Sequence, residues 1–455
     1  MFLEKALDEM TKKNKVVVGF DLGNDTSQIS LCRVEQSMPD TISLVAGAEE
    51  YNIPTVLCRR TLEEEMKNSS QTVKGLWSMG REALQLAAQK QGVLVEDLLL
   101  LAKNGVKAQV GEEEFEAEEL LEVFLRKCLV LISSYARIED IICVVFTLKD
   151  MNAELMKLLK RIMKRIDTGK ALVSFMSHED CFYQYMLHQP EEMWIHDVLL
   201  YEYRADGIRS LCMNMNRNTR PVVAFIESEQ FPQMKMTEVS NMKAEQKAAF
   251  FRQLDDAFLE IAREQCEGRT VTSVFLLGDV FSKEWCRESL RFLCKNRRVF
   301  QGNNLFSKGA CYGAREKVAP SILSRDYVYL SEEKLKANIG IECNRGNEKT
   351  YQPLLDAGTS WFEAKREIDF ILAKHNGLPI TVTHLDTGRQ RVAEITLEGL
   401  QVRGNRTNRI GLSVYMEDAD TVAIEVIDKG FGEIFPSTGQ VWRESFSIEQ
   451  ISGNS

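Results

Sequence analysis

The residues best placed to do chemistry lie near the start of the chain, in Gly19-Phe20-Asp21-Leu22-Gly23-Asn24-Asp25-Thr26-Ser27. The apolar run 16–20 is typical of a strand buried on both faces, and it delivers a carboxylate, Asp21, to its end. A carboxylate there could hold a hydrated Mg²⁺, and Gly23 would let the turn backbone approach phosphate oxygens. Other chemistries have less to work with. The eleven cysteines contain no C-x-x-C pair, and the five histidines form no H-E-x-x-H motif or Cys/His cluster. A zinc site is therefore not expected.

The elements that must position Asp21 can be read from apolar periodicity. Residues 28–34 alternate and form a returning strand, so Asp21 sits at the tip of a hairpin. A similar hairpin recurs about 180 residues later, with strands at 198–203 and 208–213 around the turn Arg204-Ala205-Asp206-Gly207. Both return strands contain Ser-Leu-Cys, at 30–32 and 210–212, which points to an internal duplication. Between the hairpins the pattern gives a helix at 117–135, a buried strand at 141–147, a helix at 152–166 and a strand at 171–175. After the second hairpin come a helix at 244–265, a strand at 274–277 ending in Gly278-Asp279, and a helix starting near 282. Strands alternating with helices imply an α/β sheet with parallel crossovers. From residue 351 short alternating runs at 380–383, 391–397, 410–416 and 422–427 are separated by turn signals at 376–377, 387–388, 417–418 and 429–430, an all-β pattern.

Composition narrows the setting. A net charge of −10 argues against a nucleic-acid partner, whose phosphates would require excess Lys and Arg. No apolar run approaches the roughly 20 residues needed to cross a membrane. Residues 1–15 read as an amphipathic helix (Phe2, Leu3, Ala6, Leu7, Met10) rather than a signal peptide, and the tail 452–455 as frayed. Cysteines scattered through apolar runs, such as Cys143, Cys212 and Cys294, read as small buried hydrophobes and fit a reducing, cytoplasmic location.

The first loop resembles the first phosphate loop of the DnaK-type heat-shock chaperones, members of the actin-like ATPase superfamily. Further segments resemble that family in the same order: Asn52-Ile53-Pro54-Thr55-Val56, Met79-Gly80-Arg81-Glu82-Ala83, residues 140–147, and Phe306-Ser307-Lys308-Gly309-Ala310 continuing to Gly313-Ala314. In the β-rich part, Phe362-Glu363-Ala364-Lys365-Arg366-Glu367, residues 393–400 and the stretch 409–432 resemble the family's peptide-binding β-domain. The resemblance implies an α/β actin-like (ribonuclease-H-like, duplicated) nucleotide-binding domain over 1–325, a linker over 326–350 and an all-β sandwich domain over 351–451. It implies ATP or ADP with Mg²⁺ as cofactor. Asp21, Gly23, Asn24, Asp25, Thr26 and Gly278 would touch the cofactor, Asp21 would hold the metal, and Glu179 would stand for the catalytic glutamate. Peptide or protein clients, and a possible partner protein, are the implied partners.

The departures from the family bear on activity. The second phosphate loop, normally Asp-Leu-Gly-Gly-Gly-Thr, is Glu202-Tyr203-Arg204-Ala205-Asp206-Gly207, and Asp206 would aim a negative charge at a phosphate. Only Gly278 remains of the adenosine-side glycine pair. The span from Glu202 to Gly278 is about half the family's, which shortens the second lobe, and Lys103 is the nearest stand-in for the catalytic lysine. The chain ends soon after the β-rich part, a lidless branch of the family. Trp361, Phe362, Phe370 and Ile371 could line a peptide groove or pack the core, with core the better expectation. Hydrolysis needs several positioned groups at once, so these losses favour a pseudo-ATPase coupled to a peptide- or protein-binding β-domain. The alternative is an active ATP-dependent molecular chaperone. A sugar kinase is set aside, because it would need an intact second loop and would lack this β-rich part.

Overall fold

The computed structural model describes residues 15–45, 47–60, 77–149, 151, 153–166, 171–204, 206–236, 242–331, 334–345, 348–372, 377–385, 388–400 and 408–449. The expected first helix up to residue 14, Ala205 of the second turn, Asn376 and Thr387 of two later turns, and the tail 452–455 lie outside them. The chain divides into two units, one of residues 1–215 and 226–326, the other of 216–225 and 327–455.

The first unit is mixed α/β and is built on two sheets. In the first sheet, Val16–Leu22 lies centrally, antiparallel to Thr26–Arg33 and parallel to Ile141–Leu148, which carries Leu172–Ser177 parallel on its far side. Strands covered on both faces have no solvated side, so their residues are apolar nearly without a break, as in Val16, Val17, Val18 and Phe20. The second sheet has the same order. Asp197–Arg204 is antiparallel to Gly207–Asn216 and parallel to Val271–Leu277, which carries Arg298–Gly302 parallel. The helices repeat as well. Ala117–Ser133, Ala153–Ile166 and His178–Leu187 interleave with the first sheet's later strands, and Ala244–Cys266, Arg287–Leu293 and Leu305–Val318 with the second's. Where a helix is expected from residue 282, a 3-10 turn, Asp279–Ser282, comes first and the helix begins at Arg287.

Each helix forms because its apolar residues fall on one face. In Ala117–Ser133 the buried set is Leu120, Leu121, Phe124, Leu125, Cys128, Leu129 and Ile132, a three- and four-residue spacing. Its acidic first turn suits the helix dipole, and Glu118 and Glu122 also pair with Arg165 of the next helix. Leu305–Val318 packs onto the first strand so closely that a Cβ on Gly19 would lie 2.2 Å from both Cys311 N and Ser307 O. The two halves differ in one respect. The first carries an added module, with strands Leu57–Arg60, Trp77–Met79 and Gly92–Val95 in one small sheet and the helix Leu98–Asn104. In the second half, the only described element between Val222–Phe231 and Ala244–Cys266 is the 3-10 turn Pro232–Met234.

The second unit holds two antiparallel four-stranded sheets. One runs Glu348–Leu355, Ala337–Arg345, Gly377–His384, Gln390–Thr396, and the other Lys365–Leu372, Asn408–Met416, Thr421–Asp428, Val441–Ser447. Their inner residues, among them Ile339, Ile341, Ile380, Val382, Leu412, Val414, Ile424 and Val426, share one apolar core. The stretch 326–350, expected as linker, is instead largely strand, with Leu335, Ala337, Ile339 and Ile341 buried. These four recur at every second position, which sends them all to one face of a strand. Trp361 and Phe370 pack against this core, whereas Ile371 faces outward. Among the described residues no helix is long and apolar enough to cross a membrane.

Candidate functional site

The two hairpins of the first unit place Asp21 and Glu202 in equivalent positions. Asp21 lies opposite Gln28 and Glu202 opposite Arg209, each acid facing the residue seven positions on. Each also lies next to the end of a parallel strand, Asp21 beside Thr147 and Glu202 beside Leu277. A cleft of about 580 Å³ opens between the hairpin tips. It is lined by Asp21, Gly23, Asn24, Asp25, Thr26 and Gly278, all six residues expected to touch a cofactor. Lys103 reaches it from Leu98–Asn104 together with Leu99 and Leu100.

Glu179 does not line the cleft. It begins the helix His178–Leu187, and its carboxylate lies 3.3 Å from Arg209 Nη1 of the second hairpin's return strand. The neighbouring His178 occupies the cleft instead. The Ser177 side chain accepts from Asp180 N and the Asp180 carboxylate accepts from Ser177 N, a capping box that fixes the start of this helix. His178 is 1% exposed, its ring stacks on Phe306 at 4.0 Å between centroids, and its Nε2 lies 3.1 Å from Asp21 Oδ1.

Arg204 completes the cluster. Its Nε donates to Glu202 Oε1 at 2.5 Å, and its Nη2 lies 3.4 Å from His178 Nδ1. A guanidinium can only donate, so Nδ1 accepts, and the ring proton sits on Nε2, from which it is donated to Asp21. Arg209 adds a second cation, its Nε at ion-pair distance, 3.5 Å, from Glu202 Oε2 but without hydrogen-bond geometry. Burial pushes the Glu202 carboxyl up, yet the Arg204 charge, the His178 ring, the Arg209 charge and the Arg204 hydrogen bond pull it further down, to below the usual carboxylate range. Burial also opposes the Arg204 charge, and Glu202, Asp21 and Asp206 together outweigh it, raising Arg204.

The rest of the lining is tied down by hydrogen bonds. Asp206, expected to repel a phosphate, accepts from Lys149 Nζ at 2.6 Å, and this bond lowers its pKa. Asn24 donates to Asp97 Oδ1 at 2.5 Å and accepts from Leu100 N at 3.3 Å, which ties the first loop to Leu98–Asn104. On the opposite wall Gln28 donates to Asn52, Asn52 to Asp279, and Asn303 to Asp279 while accepting from Gly278 N. Gly278 has φ +112°, and a Cβ there would stand 2.5 Å from Tyr203 O, so its small size serves strand packing as well as the cleft.

Holding Mg²⁺ is a separate question from lining the cleft. Among the described residues no three His, Cys, Asp or Glu side chains are grouped to hold a metal. A magnesium ion would need carboxylate oxygens of Asp21 or Glu202; Asp21 Oδ1 already faces His178, Glu202 Oε1 accepts from Arg204, and Glu202 Oε2, which accepts no hydrogen bond, lies 3.5 Å from the Arg209 cation. These surroundings suit the metal poorly, and Asp21, expected as its ligand, stands beside His178.

The family model described as Family of unknown function (DUF5716) C-terminal matches residues 38–332. A model described as Domain of unknown function (DUF8552) matches residues 334–448. The junction between the two falls within a few residues of the boundary between the structural units at 326 and 327. No curated protein matches the chain.

Proposed function

We propose that this chain, which belongs to the DUF5716 family, is a heat-shock-chaperone-like protein in which an actin-like module binds nucleotide without hydrolysing it. That module is coupled to a β-sandwich domain that takes up peptide or protein. The repeated hairpin, crossover and helix order of the first unit supports the actin-like reading. Two antiparallel sheets around one core support the sandwich. The observation that carries the loss of turnover is the Arg204–Glu202 pair beside Asp21–His178. Phosphoryl transfer to water is catalysed by positioned cations and a water-orienting group around the terminal phosphate. Here both acids are spent on protein cations and an imidazole, and Glu179 stands outside the cleft.

The cleft still suits the nucleoside part of a nucleotide. Its volume is in the range of small-molecule sites, roughly 300–1,000 Å³, and it combines leucines with the amides of Gln28, Asn52 and Asn303. Its charges do not favour a polyphosphate. Asp21, Asp25, Glu202, Asp206 and Asp279 face only Lys103, Lys149 and Arg204, so a triphosphate gains little there. Nine of the eleven cysteines are buried, Cys294 being exposed against expectation; burial is the habit of small hydrophobes in a reducing compartment, and we place the protein in the cytoplasm.

The active-chaperone reading draws on Asp21, Gly23 and Lys103 all lining one cleft. Calorimetry of ATP and ADP with Mg²⁺, on wild type and Asp21→Ala, separates the two. Weak binding without reaction heat is expected. Micromolar Mg²⁺-dependent binding that Asp21→Ala abolishes would favour the active chaperone.

A further inference from the structure

We infer that Arg204 is the resident cation of this cleft, supplying positive charge to both hairpin acids, so that the site takes ligands that arrive without a metal. The inference deepens the proposed function and rests on it only for the ligand being a nucleotide.

The argument starts from the equivalence of the two hairpins. With Asp21 matched to Glu202 by register, Gly23 of the first turn corresponds to Arg204 of the second. At Gly23 the turn closes so tightly that a Cβ would lie 2.4 Å from Thr26 O. At the matching place in the second hairpin stands the longest cationic side chain available, turned back onto the acid two residues earlier. One guanidinium thus serves both acids. It bonds Glu202 directly, and through His178, with the ring proton on Nε2, it reaches Asp21.

The arrangement is held from several sides. His178 is clamped by the ring of Phe306, and Glu202 is held from its other side by Arg209. The side chain of Arg204 is 31% exposed, which leaves its outer edge open to the cleft as a donor to a ligand oxygen. A divalent ion at this point would meet a fixed positive charge at close range and carboxylates already accepting hydrogen bonds. A nucleoside or an uncomplexed nucleotide meets neither obstacle.

The test is a Mn²⁺ titration followed by electron paramagnetic resonance, without nucleotide, on wild type, Arg204→Ala, Arg204→Lys and Arg204→Ala/Glu202→Gln. Wild type and Arg204→Lys are expected to show no saturable site. Arg204→Ala is expected to gain one, at least about tenfold tighter than any wild-type signal, a gap of ~1.4 kcal/mol. The double variant is expected to lose it again. A saturable wild-type site that Asp21→Asn removes overturns the inference, and so does a folded Arg204→Ala that gains no site. If Arg204→Ala does not fold, Arg204→Gln is judged by the same criterion, and a wild-type site remains decisive against the inference. In parallel, ATP is titrated in EDTA and in Mg²⁺. Equal binding supports the inference and Mg²⁺-dependent binding overturns it. No binding in either sinks the nucleotide part of the proposed function, and the Mn²⁺ result then decides the inference alone.

Discussion

Replacing Arg204 with alanine strips the buried Glu202 of its closest cation and leaves Arg209 at ion-pair distance without a hydrogen bond. Breaking a buried ion pair costs about 3–5 kcal/mol when the remaining charge is uncompensated. Arg204 is 31% exposed and Arg209 remains, so the expected loss at pH 7 is lower, about 2–3 kcal/mol. For a domain of this size that is a fall in melting temperature of about 4–12 °C. The pH dependence is the sharper test. In the wild type Glu202 is held below its ordinary value of 4.5, so its stabilisation is fully present above that pH and is lost as pH falls through the lowered value. In the variant burial becomes the dominant influence and the carboxyl moves up instead. Its penalty is then full at neutral pH and fades as pH drops and the group takes up a proton. Thermal melts of both proteins between pH 7 and pH 4 should therefore converge. A gap that stays constant with pH, or one under about 1 kcal/mol at pH 7, would refute the pairing of Arg204 with a buried Glu202.

Three further predictions concern the first strand, the β unit and the rim of the cleft. Gly19→Ala would drive a Cβ into the backbone of Leu305–Val318, and a loss of about 1–3 kcal/mol in urea unfolding is expected; an unchanged midpoint would contradict that packing. Asp428 in the β unit accepts from Gly430 N, Thr438 N and Thr438 Oγ1 at 2.8–3.1 Å, so Asp428→Ala should destabilise by about 2–3 kcal/mol and Asp428→Asn by less, read by thermal unfolding. Lys149→Ala removes a solvent-screened pair with Asp206 and should change stability by less than about 1 kcal/mol; a larger fall would mean the pair is structural rather than a rim feature.

Much of the frame was legible because burial leaves a local signature. The continuous run at Val16–Leu22 and the helical spacing of Ala117–Ser133 both lie close to where periodicity puts them. The start of the β unit was equally legible in principle, since Leu335, Ala337, Ile339 and Ile341 alternate, but charged and polar residues between them made the stretch resemble a linker. The first loop and Gly278 reach one cleft because each ends a buried strand, and strand ends are visible in sequence. His178 was not legible. Its neighbour Glu179 has the type expected of a base, and only the capping geometry at Ser177 and Asp180 decides which of the two faces inward. Nor was the rescue of Asp206 by Lys149, because an ion pair spanning 57 residues leaves no local pattern. One signal was available: aligning the two hairpins sets Gly23 against Arg204, a glycine against a cation at the same turn position.

In the proposed function the cleft does not turn nucleotide over, because Arg204 and His178 already occupy its two hairpin acids. Phosphate release from ATP with Mg²⁺, measured on purified wild type beside Asp21→Asn, tests it most directly. Release by both proteins is expected to be indistinguishable from the enzyme-free blank. Sustained wild-type turnover that Asp21→Asn abolishes would contradict it.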